Sequence, residues 1–344
     1  IPAPAPQPRL DRAQQIELLK NSLDEPTRDH FAYLFEPATL QFEGARKAKA
    51  PTTIVGDADG SMCRVALAAL ASGHLSLTPD AIENLAMVMR EECLAPDDQA
   101  RHRFQSSPDI AARLDRVLAG AEVSPSPDGR RLVFIGDLLH DRYSNNKAAL
   151  AALIRKLSSD SSPAPDTPGV VFIMGNHDAP ALGERALVSN QAGVDPYSIQ
   201  WGAYAARPLS SEDSGALIRE CFARAWFDRD SGVFYSHNGI QPGANGEVKT
   251  AFGTVHASTP EELESAMNLT LITGGKREDV SQLTNFRPDE DFMSRARLGD
   301  DLGEWQGAPV FFAHGHSGNF GLSDQALHLN ARDEGRVKPI SVSV

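Results

Sequence analysis

Cysteine is scarce in this chain: three in 344 residues, Cys63, Cys93 and Cys221, with no Cys-x-x-Cys pair. An odd, widely spaced set excludes a disulfide framework and a cysteine-bound structural zinc. No Cys-x5-Arg nucleophile loop is present either, so the three thiols read as small core residues. Long apolar runs are equally missing, and nothing approaches the roughly 18 residues that a membrane span needs. Positive charge is short too: 33 Lys and Arg face 46 Asp and Glu, a formal net charge of −13. Binding to nucleic-acid backbones depends on cationic neutralisation of phosphates. Neither nucleic acid nor a membrane surface is therefore an expected partner. No internal repeat of 20–50 residues occurs.

What remains is ordinary for a core-forming chain, with 41% hydrophobic and 23% charged residues. The length suits two average domains or one large α/β domain with an insertion. Residues 1–8 are Pro/Ala-rich and linker-like. They open an N-terminal Pro-rich lead-in and helical segment, 1–50, that is expected to precede a single domain over 51–344. Short β-branched or aromatic runs at 52–55, 132–135, 170–174, 233–235 and 309–312 read as strands buried on both faces. A helical pattern at 146–157 follows the second. Strand, polar loop, helix, strand is the alternation of an α/β sandwich.

The stretch at about 78–120 breaks this alternation with three helical patterns starting near Pro79, Pro96 and Pro108. Thr78 and Ser107 are the expected N-caps, each with proline at the first helical position. The stretch reads either as a helical insertion capping a site or as further core helices. Residues 261–268 look helical, whereas the polar, mixed pattern of 277–302 assigns no element.

Polar residues follow each strand where open α/β sheets place their ligands. In chain order these are Asp57 and Asp59; Asp137, His140, Asp141 and Arg142; Asn176, His177 and Asp178; His237; and His314 and His316. Singly, each is a common turn or loop residue. Together they are a set of oxygen and nitrogen donors suited to first-row divalent ions, with no accompanying cysteine. A carboxylate bridging two ions, with His and Asn filling the remaining positions, would build a two-metal hydrolytic centre.

Taken with their flanking glycines, these residues resemble the calcineurin-like metallophosphoesterase superfamily. The segments are Gly56-Asp57-Ala58-Asp59-Gly60, Gly136-Asp137 with Asp141-Arg142, Gly175-Asn176-His177-Asp178, His237 and His314-Gly315-His316. The opening Gly-Asp-x-x-Gly, the Asp-Arg pair and Ser236-His237-Asn238-Gly239-Ile240 are most similar to the phosphoprotein phosphatase branch. The resemblance spans roughly 52–317. It implies a four-layer α/β/β/α sandwich with two mixed sheets, here carrying the helical insertion. It also implies a phosphatase that hydrolyses phosphate monoesters, on phosphoproteins or phosphopeptides foremost, with a metal-activated water. Two divalent ions are implied, manganese first, with iron or zinc as alternatives.

The implied roles follow position by position. Asp57 is a terminal ligand and Asp137 bridges the ions. Asn176, His237 and His314 complete the second metal, and His316 returns to the first. His177 protonates the leaving oxygen with Asp141 orienting it, and Arg142 clamps phosphate oxygens. Arg287 sits at a plausible spacing for a second phosphate contact.

Three departures stand out. Asp59 occupies a position where the family usually has His, and a carboxylate there can ligate a metal or point away. Three residues rather than two separate Asp137 from the Asp-Arg pair, placing His140 where the related purple acid phosphatases carry a metal-binding Tyr. His140 is thus either a ligand or a lining residue. Ala313 replaces the Gly that commonly precedes the final motif. Two other functions stay open: hydrolysis of nucleotides or dinucleoside polyphosphates, and a catalytically silent scaffold that binds a partner. The chain is also similar to bacterial phosphatase-like enzymes that include secreted effectors. The compartment, cytoplasmic or secreted into a host cell, is unspecified.

Overall fold

The computed structural model describes residues 10–36, 38–39, 51–162, 168–175, 177–178, 182, 202–237, 241–242, 247–250 and 253–273. It also describes the strand segments 322–323, 326–327, 330–333, 336–339 and 341–343. The helices are α1 Arg12–Ser22, α2 Glu25–His30, α3 Ala32–Phe35, α4 Met62–Ala71, α5 Pro79–Cys93, α6 Asp98–Ser106, α7 Pro108–Ala119, α8 Lys147–Asp160, α9 Ser211–Cys221 and α10 Pro260–Thr273. The first strands are β1 Ala38–Thr39, β2 Thr52–Val55, β3 Leu75–Leu77, β4 Ala121–Val123, β5 Arg131–Ile135, β6 Val170–Ile173, β7 Phe222–Ala223, β8 Ala225–Asp228 and β9 Val233–Ser236. After them come β10 Gln241–Pro242, β11 Glu247–Thr250, β12 Gly253–His256, β13 Leu322–Ser323, β14 Ala326–Leu327, β15 Asn330–Asp333, β16 Arg336–Pro339 and β17 Ser341–Ser343.

The main sheet is mixed, in the order β1-β17-β2-β5-β6-β7. Strands β2, β5, β6 and β7 run parallel, while β17 joins β2 antiparallel, pairing Val342 with Ile54. Alternate side chains along the parallel strands go to opposite faces, as the period of a strand requires. Val55, Leu132, Phe134, Val170 and Phe172 meet the helices. Phe134 and Phe172 stack there with centroids 5.3 Å apart, fixing β5 against β6. Ile54, Val133, Ile135, Val171 and Ile173 face the other way and form a second apolar cluster with Val233 and Tyr235 of β9.

The β8–β9 hairpin thus lies on the main sheet, and its far side packs on α10, where Phe227 N–H donates to Glu264. Helices, main sheet, hairpin and helix make the α/β/β/α order. Strand β9 is buried on both faces as its apolar run predicts. It pairs antiparallel with β8, however, and not within the main sheet. The 309–312 run lies outside the described residues.

Local signals account for the helices. Thr78 accepts from Ala81 N–H, Ser107 from Ile110 N–H and Asn146 from Ala149 N–H, each an N-cap. Helix α6 begins later than Pro96 because the Asp97 carboxylate takes the cap from Ala100 N–H. Helix α1 starts with a capping box between Asp11 and Gln14. Gln15 on α1 accepts from Leu77 N–H at 2.7 Å, joining the N-terminal helices to the two-stranded sheet β3–β4. Ile110, Leu114 and Val117 form the buried face of α7 at helical spacing. Helices α5 and α7 share the main core, and Arg90 of α5 donates to the Ser22 carbonyl of α1.

Candidate metal centre

Parallel strands present their C-terminal ends to one edge of the sheet, and two tight turns there aim the acidic residues inward. Asp59 and Asp137 both adopt φ +52, a left-handed conformation that Asp tolerates better than most residues. Gly60 N–H donates to the Asp137 carbonyl at 2.9 Å, tying the turn after β2 to the turn after β5. A β-carbon on Gly136 would lie 2.1 Å from His237 Nδ1, and one on Gly175 would lie 2.1 Å from Asp137 Oδ1. Both glycines leave room that the donor side chains occupy.

Asp57, Asp137 and His237 converge there, each offering a ligand atom within 4.8 Å of the others, and all are buried. His237 Nδ1 lies 2.7 Å from the Ile135 carbonyl, so it donates and the ring's lone pair sits on Nε2. Nε2 is 3.7 Å from Asp137 Oδ1, and Nδ1 is 3.6 Å from Asp57 Oδ1. Burial opposes a charged ring, but Asp137 and Asp57 outweigh it and raise the His237 pKa. Two carboxylates and an imidazole with its second nitrogen held by a carbonyl are a fitting donor set for a divalent cation.

Asp178 supports this cluster from beneath. Fully buried, it accepts from the N–H groups of Leu138, Leu139 and Gly175 at 2.8–3.2 Å, stapling the β5 turn to the β6 turn. Burial and the nearby Asp137 push its pKa up to about 6 against those hydrogen bonds. Its supporting role was not assigned from sequence. The available signal was a carboxylate directly after the Gly-Asn-His segment.

A second group of donors, Asp137, Asp141 and His177, adjoins the first. His177 N–H donates to Asp137 Oδ1 at 3.0 Å, while His177 Nδ1 lies 3.4 Å from Asp141 Oδ2. Burial pushes Asp141 up to about 7 against the pull of His177 and Arg142. Arg142 N–H donates to Asp141 Oδ1 at 2.7 Å, and its Nε is 3.5 Å from the same oxygen. The carboxylate raises the Arg142 pKa and keeps the guanidinium charged. This loop is braced from outside: Gln105 of α6 donates to the Arg142 carbonyl, and Asn145 donates to the Phe104 and Gln105 carbonyls.

Asp59 and His140 fall in neither donor group. Asp59 Oδ2 pairs with Arg64, and Oδ1 lies 3.4 Å from Arg142 Nη1. Burial opposes the ionised form of Asp59, but the two guanidinium groups lower its pKa overall. His140 Nδ1 lies 2.8 Å from Lys147 Nζ. An ammonium can only donate, so Nδ1 accepts and Nε2 carries the proton. Burial lowers the Lys147 pKa to about 8. Asn176, His314, His316 and Arg287 lie outside the described residues.

Comparison with known proteins gives little further direction. No family model matches the chain, and no curated protein does. Among solved structures, a protein serine/threonine phosphatase from Saccharomyces cerevisiae, described as similar to human phosphatase PP5, aligns over 94% of this chain and 78% of its own. The identity is 10% and the TM-score 0.36, values at which the likeness carries no argument. What the site can do rests on its own residues, a buried Asp57–Asp137–His237 donor set beside an Asp141–His177 pair and Arg142.

Proposed function

We propose that this chain is a metal-dependent phosphatase acting on phosphate monoesters, phosphorylated proteins or peptides first among them. The convergence of Asp57, Asp137 and His237 within 4.8 Å, directly beside His177 and Arg142, carries the reading. These donors would hold divalent cations, manganese first, with Asn176, His314 and His316 proposed from sequence to complete two sites. Such ions, when bound, supply an activated water and neutralise phosphate charge.

The chain's own residues do the rest. Arg142 meets two phosphate oxygens with its planar fork, which suits the developing charge better than a lysine would. His177, as the imidazolium, delivers the proton of its substrate-side nitrogen to the leaving oxygen, and Asp141 stabilises that cation by accepting from the opposite ring nitrogen. His140, with its Nε2 proton, fits a donor lining the cleft. Lys147, kept against it, adds positive charge behind it.

Hydrolysis of an aryl phosphate by metal-stripped protein, with manganese, iron, zinc or magnesium restored, tests this directly. Turnover should return with metal and vanish in Asp137→Ala. His177→Ala should lose about 10²–10⁴-fold in kcat. Parallel assays on phosphopeptides and nucleotides then read the substrate class. Metal binding without turnover on any of these substrates would defeat the enzyme reading.

A further inference from the structure

Arg142 is gripped at two atoms by two carboxylates. Asp141 takes Nε at 3.5 Å and Asp59 takes Nη1 at 3.4 Å. Because a guanidinium is planar, holding two of its nitrogens fixes the direction of the whole fork. The carboxylates are deeply buried, whereas the Arg142 side chain keeps 27% of its exposure. The anchors are thus inside and the fork opens outward.

Asp59 is itself held from behind. Its other oxygen pairs with Arg64, whose Nε donates to Glu92 Oε1 at 2.9 Å near the C-terminal end of α5. Ser61 donates to the second Glu92 oxygen. The Tyr143 ring, one residue after Arg142, covers the Arg64 guanidinium at 5.0 Å, and Tyr143 N–H donates to the Asp59 carbonyl at 2.9 Å. Both carboxylate oxygens of Asp59 are therefore engaged by guanidinium groups, which leaves cation ligation to Asp57 and its neighbours.

We infer that Asp59 is a positioning residue that aims Arg142 at the substrate phosphate, and that the buried chain Asp59–Arg64–Glu92 ties this aim to helix α5. The inference rests on the phosphatase reading above and deepens it. Asp59 acts through Arg142 and not through a metal ion.

The test compares the wild-type chain, Asp59→Asn, Arg142→Gln and the double variant, with Asp137→Asn as a metal-site control. Metal content is measured by elemental analysis and inorganic phosphate affinity by calorimetry. Asp59→Asn should keep the wild-type metal content and weaken phosphate about tenfold, as expected for loss of one charged hydrogen bond. KM for an aryl phosphate should rise more than kcat falls. The double variant should bind phosphate no more weakly than Arg142→Gln, since the two residues act as one unit. Loss of metal in Asp59→Asn, unchanged phosphate affinity, or effects that multiply in the double variant would each overturn the inference. Glu92→Gln leaves Asp59 intact and reads the chain from its other end. It should weaken phosphate about threefold at constant metal content, and an unchanged affinity would overturn the link to α5. A wild type that binds no divalent cation and hydrolyses nothing would instead bring down the phosphatase reading, and this inference with it.

Discussion

Two groups of buried carboxylates lie side by side in this fold, and they are balanced in opposite ways. In the first, Asp59 and Glu92 are joined by Arg64, with Arg142 added on the outer side. In the second, among the described residues, Asp57 and Asp137 face the imidazole of His237, and Asp137 also accepts from His177 N–H. Burying a carboxylate is costly unless a charge of opposite sign accompanies it. The first group meets that cost with side chains of its own. The second concentrates acidic oxygens around a point where a divalent cation would balance them. The residue types are alike, and the partner distinguishes a structural network from a candidate ligand set.

Breaking the balanced group should have the largest effect. Arg64→Met leaves Asp59 and Glu92 buried without their shared cation, and should cost roughly 3–5 kcal/mol in a denaturant titration. A cost below about 1 kcal/mol would mean that the two groups are not balanced differently. Gly136→Ala should come next. Its φ of +97 and the position of His237 both reject a β-carbon, so a loss on the order of 3 kcal/mol is expected. Divalent-cation binding should weaken with it, and an intact melting temperature would contradict the tight cradle.

A buried group outside both clusters gives a reference for pH. Burial lowers the His74 pKa to about 4, from an ordinary value of 6.5. The unfolded ring therefore takes up its proton first as pH falls. Its contribution is full above pH 6.5 and is lost progressively towards pH 4. Stability should drop by about 2 kcal/mol between pH 7 and pH 5, and His74→Gln should flatten that part of the profile. An unchanged slope in the variant would assign the pH dependence elsewhere. The smallest effect should come from Asp57→Asn in metal-stripped protein. Removing one charge from an acid-rich site without its cation should change stability by less than about 1 kcal/mol. A loss as large as that of Arg64→Met would erase the contrast between the groups.

Much of this was legible in the sequence because the signals were local. Strands β2, β5 and β6 are apolar runs ending in polar residues, and the N-caps Thr78, Ser107 and Asn146 directly precede their helices. Asp57 and Asp137 meet because parallel strand ends share one edge of the sheet, and His237 joins them from the end of β9 in the stacked hairpin. The chosen partners were not legible. Nothing in the spacing of Asp59 and Arg64 announces that helix α4 starts at the Ser61 cap and turns Arg64 back onto the carboxylate. Glu92 reaches the same arginine across 28 positions, and Lys147 meets His140 only because the loop before α8 folds back. Strand β9 shows the same limit. Its burial follows from composition, but pairing with β8 and stacking on the main sheet are long-range choices.

The central claim is that the strand-end carboxylates form a divalent-cation site. Calorimetric titration of manganese into chelator-stripped protein, beside Asp137→Asn, tests it most directly. The account predicts saturable binding of two ions to the wild type and loss of that binding in the variant. Absence of binding in the wild type, or equal binding in Asp137→Asn, would contradict it.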